Sequence, residues 1–194
     1  MNSSTYISFD QKIEEQLIQN RMIMINQGID SDVAESVIKR LWYAEFSNNK
    51  RPITILINTP GGSIDAGLAI WDQARLLKSP LITVVTGMAA SMGTILNLVA
   101  PKGSRFITSN SRMMIHQPSI HGVIRGQATD LHIQAEEIKQ TKNRLIQIYV
   151  NETGHDVNLI ESKIDRDYWM TAEEAVKLGF VDKIITNQSE IIQS

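Results

Sequence analysis

The 194 residues, 42% hydrophobic and 21% charged, suit a single globular domain spanning residues 1–194, with enough apolar content to bury a core. A formal net charge of -2 provides no broad basic field for a nucleic-acid backbone. The absence of cysteine excludes disulfide scaffolds, thiolate zinc sites and cysteine nucleophiles, which leaves serine as the obvious residue for covalent catalysis.

The amino-terminal stretch MNSSTYISFDQKIEEQ has neither the basic nor the apolar region of a secretory signal, so a cytoplasmic location is the simplest expectation. Asp30 or Ser31 then caps a helix whose apolar residues Val33, Val37 and Leu41 recur at three-to-four-residue intervals, ending near Asn48 and Asn49. Ile53 to Ile57 reads as a short buried strand. The turn Asn58-Thr59-Pro60-Gly61-Gly62 delivers the chain to Ser63, which caps a helix with Ile70, Trp71, Ala74 and Leu77 on one face. Leu81 to Val85 repeats the unit: a β-rich run, a turn through Gly87-Met88-Ala89-Ala90-Ser91-Met92-Gly93, and a helix to Leu98. The stretch from Leu81 to Ala100 is apolar enough to suggest a membrane span, but Gly87, Ser91, Gly93 and Asn97 interrupt it, and strand followed by helix fits better. Two successive strand-turn-helix units predict a parallel α/β core.

Arg112 to Ile115 reads as a further strand, and Pro118 stops regular structure just after it, so His116 falls at a strand end. Gln127 to about Thr153 forms a long helix with Leu131, Ile138 and Leu145 seven residues apart, closed by Gly154; such a face requires a partner surface. Thr171-Ala-Glu-Glu174 is a capping-box sequence for a short helix ended by Gly179, with a last strand from Phe180 to Ile185. No repeat, low-complexity block or linker marks a second domain.

Ser91 lies among the small residues Ala89, Ala90 and Gly93 at a predicted strand-to-helix turn, where a tight bend leaves its hydroxyl accessible. The unpaired amides of a helix start, Met92 among them, stabilise the oxyanion that forms when a serine attacks a carbonyl. Ser91 reads equally as an ordinary N-cap, and the local pattern leaves both open. A serine needs a base to take its proton. Of four histidines, His121, His132 and His155 read as solvated surface residues, and His116 is the best placed. Metal binding by His116 and His121 is the weaker idea, since Pro118 breaks any helical spacing and no third ligand follows; no metal is expected. A carboxylate should hold the imidazole tautomer, and Asp165 and Asp167 are candidates that share a side if their segment is extended. Pairing with Arg166 is the structural alternative for either.

Ile57-Asn-Thr-Pro-Gly-Gly62, Gly87-Met-Ala-Ala-Ser-Met-Gly93, Met114-Ile-His-Gln-Pro118 and Asp165-Arg-Asp167, in this order, resemble the proteolytic subunit of the Clp protease family, over about Ile13 to Thr186. The resemblance implies an α/β, crotonase-like fold with stacked β-sheets, surrounding helices and a protruding long handle helix in a handle region of about 119–153, after a short amino-terminal segment, 1–12. It implies Ser91 as nucleophile, His116 as base and Asp167 as orienting carboxylate. Gly62 and Met92 then match the oxyanion-hole donors, and Asp165 and Arg166 match a subunit-contact pair. Gly61, Ser63 and Ile64, with Ser119, Ile120 and His121, match the strands that grip an extended peptide. Also implied are self-assembly into two stacked heptameric rings, unfolded polypeptide substrates, and an AAA+ Clp ATPase partner that uses the ATP, with no cofactor in this subunit. Two differences from the family stand out: an amino terminus short of the segment that usually forms axial loops, and Thr54 and Leu56 where the outer docking pocket often has aromatics. They raise the expectation of a mixed assembly with a second, related subunit type. The rival functions are a catalytically silent structural subunit and an acyl-CoA enzyme of crotonase type, which shares the fold but has no use for this serine and histidine together.

Overall fold

The computed structural model describes residues 8–119 and 126–192. In chain order the elements are α1 (Phe9–Gln19), β1 (Met22–Ile25), α2 (Ser31–Ser47), β2 (Ile53–Thr59), α3 (Ile64–Arg75), β3 (Leu81–Ala90), α4 (Met92–Asn97), β4 (Arg105–Thr108), β5 (Arg112–Ile115), α5 (Ala128–Thr153), α6 (Val157–Ile164), β6 (Tyr168–Thr171), α7 (Ala172–Lys177), β7 (Lys183–Ile185) and α8 (Ser189–Ile192). Several helices start where polar side chains satisfy the free amides of the first turn. Asp30 accepts from Val33 N at 2.9 Å, Ser63 from Ala66 N at 3.3 Å, and Thr171 and Glu174 form the capping box foreseen for α7.

The parallel core runs in the order β1-β2-β3-β4-β7. β3 is twice the expected length, because Gly87 to Ala90 continue it instead of forming a turn. Its first half pairs β4 (Thr83–Val85 with Arg105–Ile107) and its second half pairs β5 (Met88–Ala90 with Arg112–Met114). The sheet forks here, and Gly87, at φ +77, sits between the two pairings. β6 then adds to β5 antiparallel, so seven strands form one hydrogen-bonded network with two arms.

One face of the sheet meets α2, α3, α4 and the inner part of α5 in a core that includes Ile55, Ile57, Ile70, Trp71, Ile95, Leu96, Leu145 and Phe180. A smaller cluster, Ile82, Val84, Phe106 and Ile185 with Leu56 beside it, covers part of the other face. Two buried arginines tie segments together through backbone carbonyls. Arg21, at φ 58, donates to Ala44, Arg51 and Pro52 carbonyls and to Ser79 Oγ, while Arg105 donates to the carbonyls of Leu98, Ala100 and Glu152 and pairs with the Glu152 carboxylate. Burial pulls the Arg105 guanidinium below its ordinary pKa, and Glu152 opposes that.

The 26 residues of α5 span about 39 Å. Its last turns bury Leu145, Ile146 and Tyr149, whereas Leu131 and Ile133 near its start are exposed. The predicted last strand is shorter than the sequence pattern suggests: Phe180 and Val181 are buried in a turn, with both amides donating to Ala175 O, and only Lys183–Ile185 pair in the sheet. Among the described residues no helix is long and apolar enough to cross a membrane.

Candidate active site

The turn after β2 is shaped by two glycines. Gly61 has φ +92 and Gly62 φ +152. A Cβ on Gly61 would lie 2.7 Å from Ala90 O, and one on Gly62 would lie 2.2 Å from Ile29 O, so no other residue fits either position without moving backbone. The buried Thr59 fixes the entry to this turn, donating from Oγ1 to Gln27 O at 2.6 Å and accepting from Gly61 N at 3.1 Å. Ile29 N donates to Gly61 O and Ser63 N to Ile29 O. These bonds bracket Gly62 and leave its own N–H outside the ladder.

Ser91 stands between β3 and α4 at φ 54, ψ -118. A non-glycine residue at positive φ is uncommon and persists only where its surroundings hold it. Here Ser91 N donates to Met114 O at 2.9 Å, and Thr94 Oγ1 lies 2.8 Å from both Ala89 O and Met114 O, which knits β3, α4 and β5 together. Ser91 occupies the N-cap position of α4, yet its side chain makes no capping bond. Its Oγ instead lies 2.8 Å from His116 Nε2. Met92, the first residue of α4, has an N–H to which the helical ladder assigns no acceptor.

His116 immediately follows β5. Gln117 N donates to Ile164 O at 2.7 Å and Gln117 Nε2 to Asp165 O at 3.1 Å, joining this strand end to the segment that carries the acidic pair. That segment is not extended: Asp165 closes α6 with helical backbone, and Asp167 leads into β6. The two aspartates therefore diverge. Asp167 Oδ1 lies 3.2 Å from His116 Nδ1, with the Asp167 side chain 64% exposed, while Asp165 lies 3.9 Å from the exposed Arg166.

A cavity of about 590 Å³ opens beside Ser91 and His116. It is lined by the glycine turn and the start of α3, Gly61 to Asp65, by Met92, Ile95 and Met114, by Leu145 and Tyr149 of α5, and by Ser119. Ser63 and Ile64 turn into α3 here, so strand-like backbone on this side ends at the Ile29–Gly62 bridge. Ile120 and His121 lie outside the described residues. His155, read from sequence as solvated, is half-buried and bonded through Nε2 to Leu178 O at 2.9 Å; His132 is exposed on α5. Tyr149 is a lining residue that the sequence reading did not single out, although its four-residue spacing from Leu145 puts both on one face of α5.

The geometry offers an accessible hydroxyl with an imidazole against it, a carboxylate at the far side of the ring, two unladdered amides beside it, and an apolar cavity. The model of the Clp protease family matches residues 8–188. The chain is 52% identical over 180 residues to the ATP-dependent Clp protease proteolytic subunit 1 of Protochlamydia amoebophila, covering 93% of this chain and 87% of that protein. It is 50% identical to the subunits of the same name from Chlamydia trachomatis serovar D (92% of this chain, 93% of that one) and Chlamydia pneumoniae (92% and 94%). With the family model matched along nearly its whole length, this chain belongs to the Clp protease family.

Proposed function

We propose that the chain is a serine endopeptidase subunit that cleaves unfolded polypeptides by acyl transfer. The observation that carries this reading is the 2.8 Å link from Ser91 Oγ to His116 Nε2, made by a serine that stands at a helix start and does not cap it. His116 Nε2 takes the Ser91 proton as Oγ attacks the peptide carbonyl, and Asp167 holds the Nδ1–H tautomer that this transfer requires. The Gly62 and Met92 amides receive the oxyanion. His116 then returns the proton to the leaving amine, and water, activated by the same imidazole, releases the acyl group from Ser91. Gly61, Ser63 and Ile64 with Ser119, Ile120 and His121 hold the extended substrate.

The working form is an assembly of stacked heptameric rings in the cytoplasm, joined by α5, with Asp165 and Arg166 at a subunit contact and an AAA+ Clp ATPase feeding the chamber. Family membership and the exposed apolar residues at the start of α5 support this. Relatives named as ATP-dependent subunit 1 support the ATPase partner and a second, related subunit in a mixed assembly.

The test is labelling of the assembled protein with a fluorophosphonate, mapped by peptide mass spectrometry. Modification confined to Ser91 and absent from Ser91→Ala is the expected result; an unlabelled Ser91 overturns the reading. A catalytically silent structural subunit is the second reading, favoured by the exposure of Asp167, for whose carboxylate water competes with His116. It predicts no labelling and intact assembly.

A further inference from the structure

We propose that Tyr149 sets the preference for the residue preceding the cleaved bond, selecting a linear side chain that carries a hydrogen-bond acceptor and no donor: methionine, and more strongly methionine sulfoxide. The inference rests on the peptidase reading above and goes on to name a substrate class for the same cavity.

Met92, Ile95, Met114, Leu145 and Tyr149 are the buried side chains of the cavity wall, and the Tyr149 hydroxyl is the one oxygen or nitrogen they carry. Tyr149 is 2% exposed, and among the described residues its hydroxyl has no hydrogen-bond partner. Asn97 Oδ1 is the one side-chain oxygen or nitrogen among the described residues that is both sealed from open space and unpaired. The unpaired Tyr149 oxygen therefore retains contact with open space, and the space that Tyr149 lines is the cavity. Buried tyrosine hydroxyls normally find a partner.

The ring is held in place by the tilted Phe180 ring, centroid to centroid 5.8 Å, and burial raises the phenol pKa, so the group is a fixed donor at neutral pH. A leucine in the cavity would satisfy its apolar wall and leave the hydroxyl unpaired. Lysine would have to strip the water from its ammonium against the apolar wall, and glutamate would lose its hydration for a single bond. Methionine threads an unbranched chain past Met92 and Ile95 and brings a weak acceptor that also packs well on an aromatic ring; its sulfoxide brings a strong acceptor on the same chain. A site built to hydrogen-bond one side chain discriminates against the analogue that lacks the partner.

The experiment compares three peptides, identical except for norleucine, methionine or methionine sulfoxide before the cleaved bond, on the assembled full-length chain and on Tyr149→Phe. The wild type is expected to rank them by kcat/KM as sulfoxide, methionine, norleucine. Loss of one hydrogen bond in Tyr149→Phe should shrink the sulfoxide-to-norleucine ratio by about tenfold. A wild type that prefers norleucine to the sulfoxide overturns the inference whatever the variant does. So does a ratio unchanged in Tyr149→Phe when the fluorophosphonate labels Ser91 equally fast in both proteins. Failure of that label in the wild type removes the peptidase reading itself, and this inference with it.

Discussion

Gly61 and Ser91 pack so closely that a Cβ on Gly61 would lie 2.7 Å from the Ser91 Cβ, so the turn after β2 and the turn after β3 can approach only because Gly61 has no side chain. Alanine at Gly61 would also have to adopt φ +92. Gly61→Ala should lower stability by at least about 2 kcal/mol. By displacing Ser91 it should cut peptide hydrolysis by more than about 100-fold. Thermal unfolding and steady-state kinetics on the same preparation test both.

In the proposed mechanism Asp167 acts through the tautomer of His116. Asp167→Asn should lower kcat by about 100-fold with little change in KM, a smaller loss than for a carboxylate sealed from water, because the Asp167 side chain is 64% exposed. A KM effect with kcat preserved would instead make Asp167 part of substrate binding.

Arg105 has a fully buried guanidinium whose carboxylate partner is Glu152. Removing one member of a buried pair leaves an uncompensated charge, so Glu152→Ala should cost about 3 kcal/mol, or about 6–12 °C in thermal midpoint. Glu152→Gln, which keeps a hydrogen-bonding oxygen, should cost less than half as much. Wild-type midpoints in both variants would mean that the Arg105 bonds to backbone carbonyls suffice.

The carboxylate of Glu190 pairs with Lys183 Nζ at 2.6 Å and accepts from Thr186 N at 2.9 Å and Asn187 N at 3.2 Å, which together pull its pKa down to about 2. The unfolded value is higher, so this interaction stabilises the carboxyl-terminal turn fully above about pH 4.5 and is lost as pH falls toward 2. Amide exchange at Thr186 and Asn187 should therefore lose protection in that window. Protection that is unchanged down to pH 2 would show that the turn stands without the ionised carboxylate.

Leu131 and Ile133 are exposed near the start of α5. If α5 joins the proposed rings, Leu131→Asp combined with Ile133→Asp should disperse the oligomer, seen by sedimentation velocity, while circular dichroism keeps its helical signal. An oligomer unchanged in the double variant would place the joining surface elsewhere.

Three helices with side-chain caps were legible in the sequence because a cap is a local event: Asp30, Ser63 and Thr171 announce α2, α3 and α7, whereas α1 and α6, capped by Ser8 and Asp156, were not read. The site was half legible. Ser91 at a strand-to-helix turn and His116 at a strand end follow from short-range patterns, but their 2.8 Å separation depends on β3 pairing β5, a contact between residues 25 apart. Gly87 reads as a breaker and ends the strand at Val85 on pattern alone. In the structure it permits β3 to change partners, which no local rule reveals. The choice between Asp165 and Asp167 was hidden for a similar reason, since α6 runs through Ile164 and Asp165 keeps helical backbone, turning the two carboxylates apart. α1 carries a capping box at Ser8 and Gln11 but buries no residue.

Ser91, His116 and Asp167 all flank the ends of one small three-stranded patch, β3, β5 and β6, and within it β6 is the edge. An edge strand held on one side frays first. Fraying of β6 is therefore expected to carry Asp167 from the imidazole while the β3–β5 ladder still holds hydroxyl and ring together. Partial loosening of the subunit would then leave a serine–histidine dyad, slow but not extinguished, and recovery of full rate would track the re-pairing of Tyr168 to Thr171 with Arg112 to Ile115.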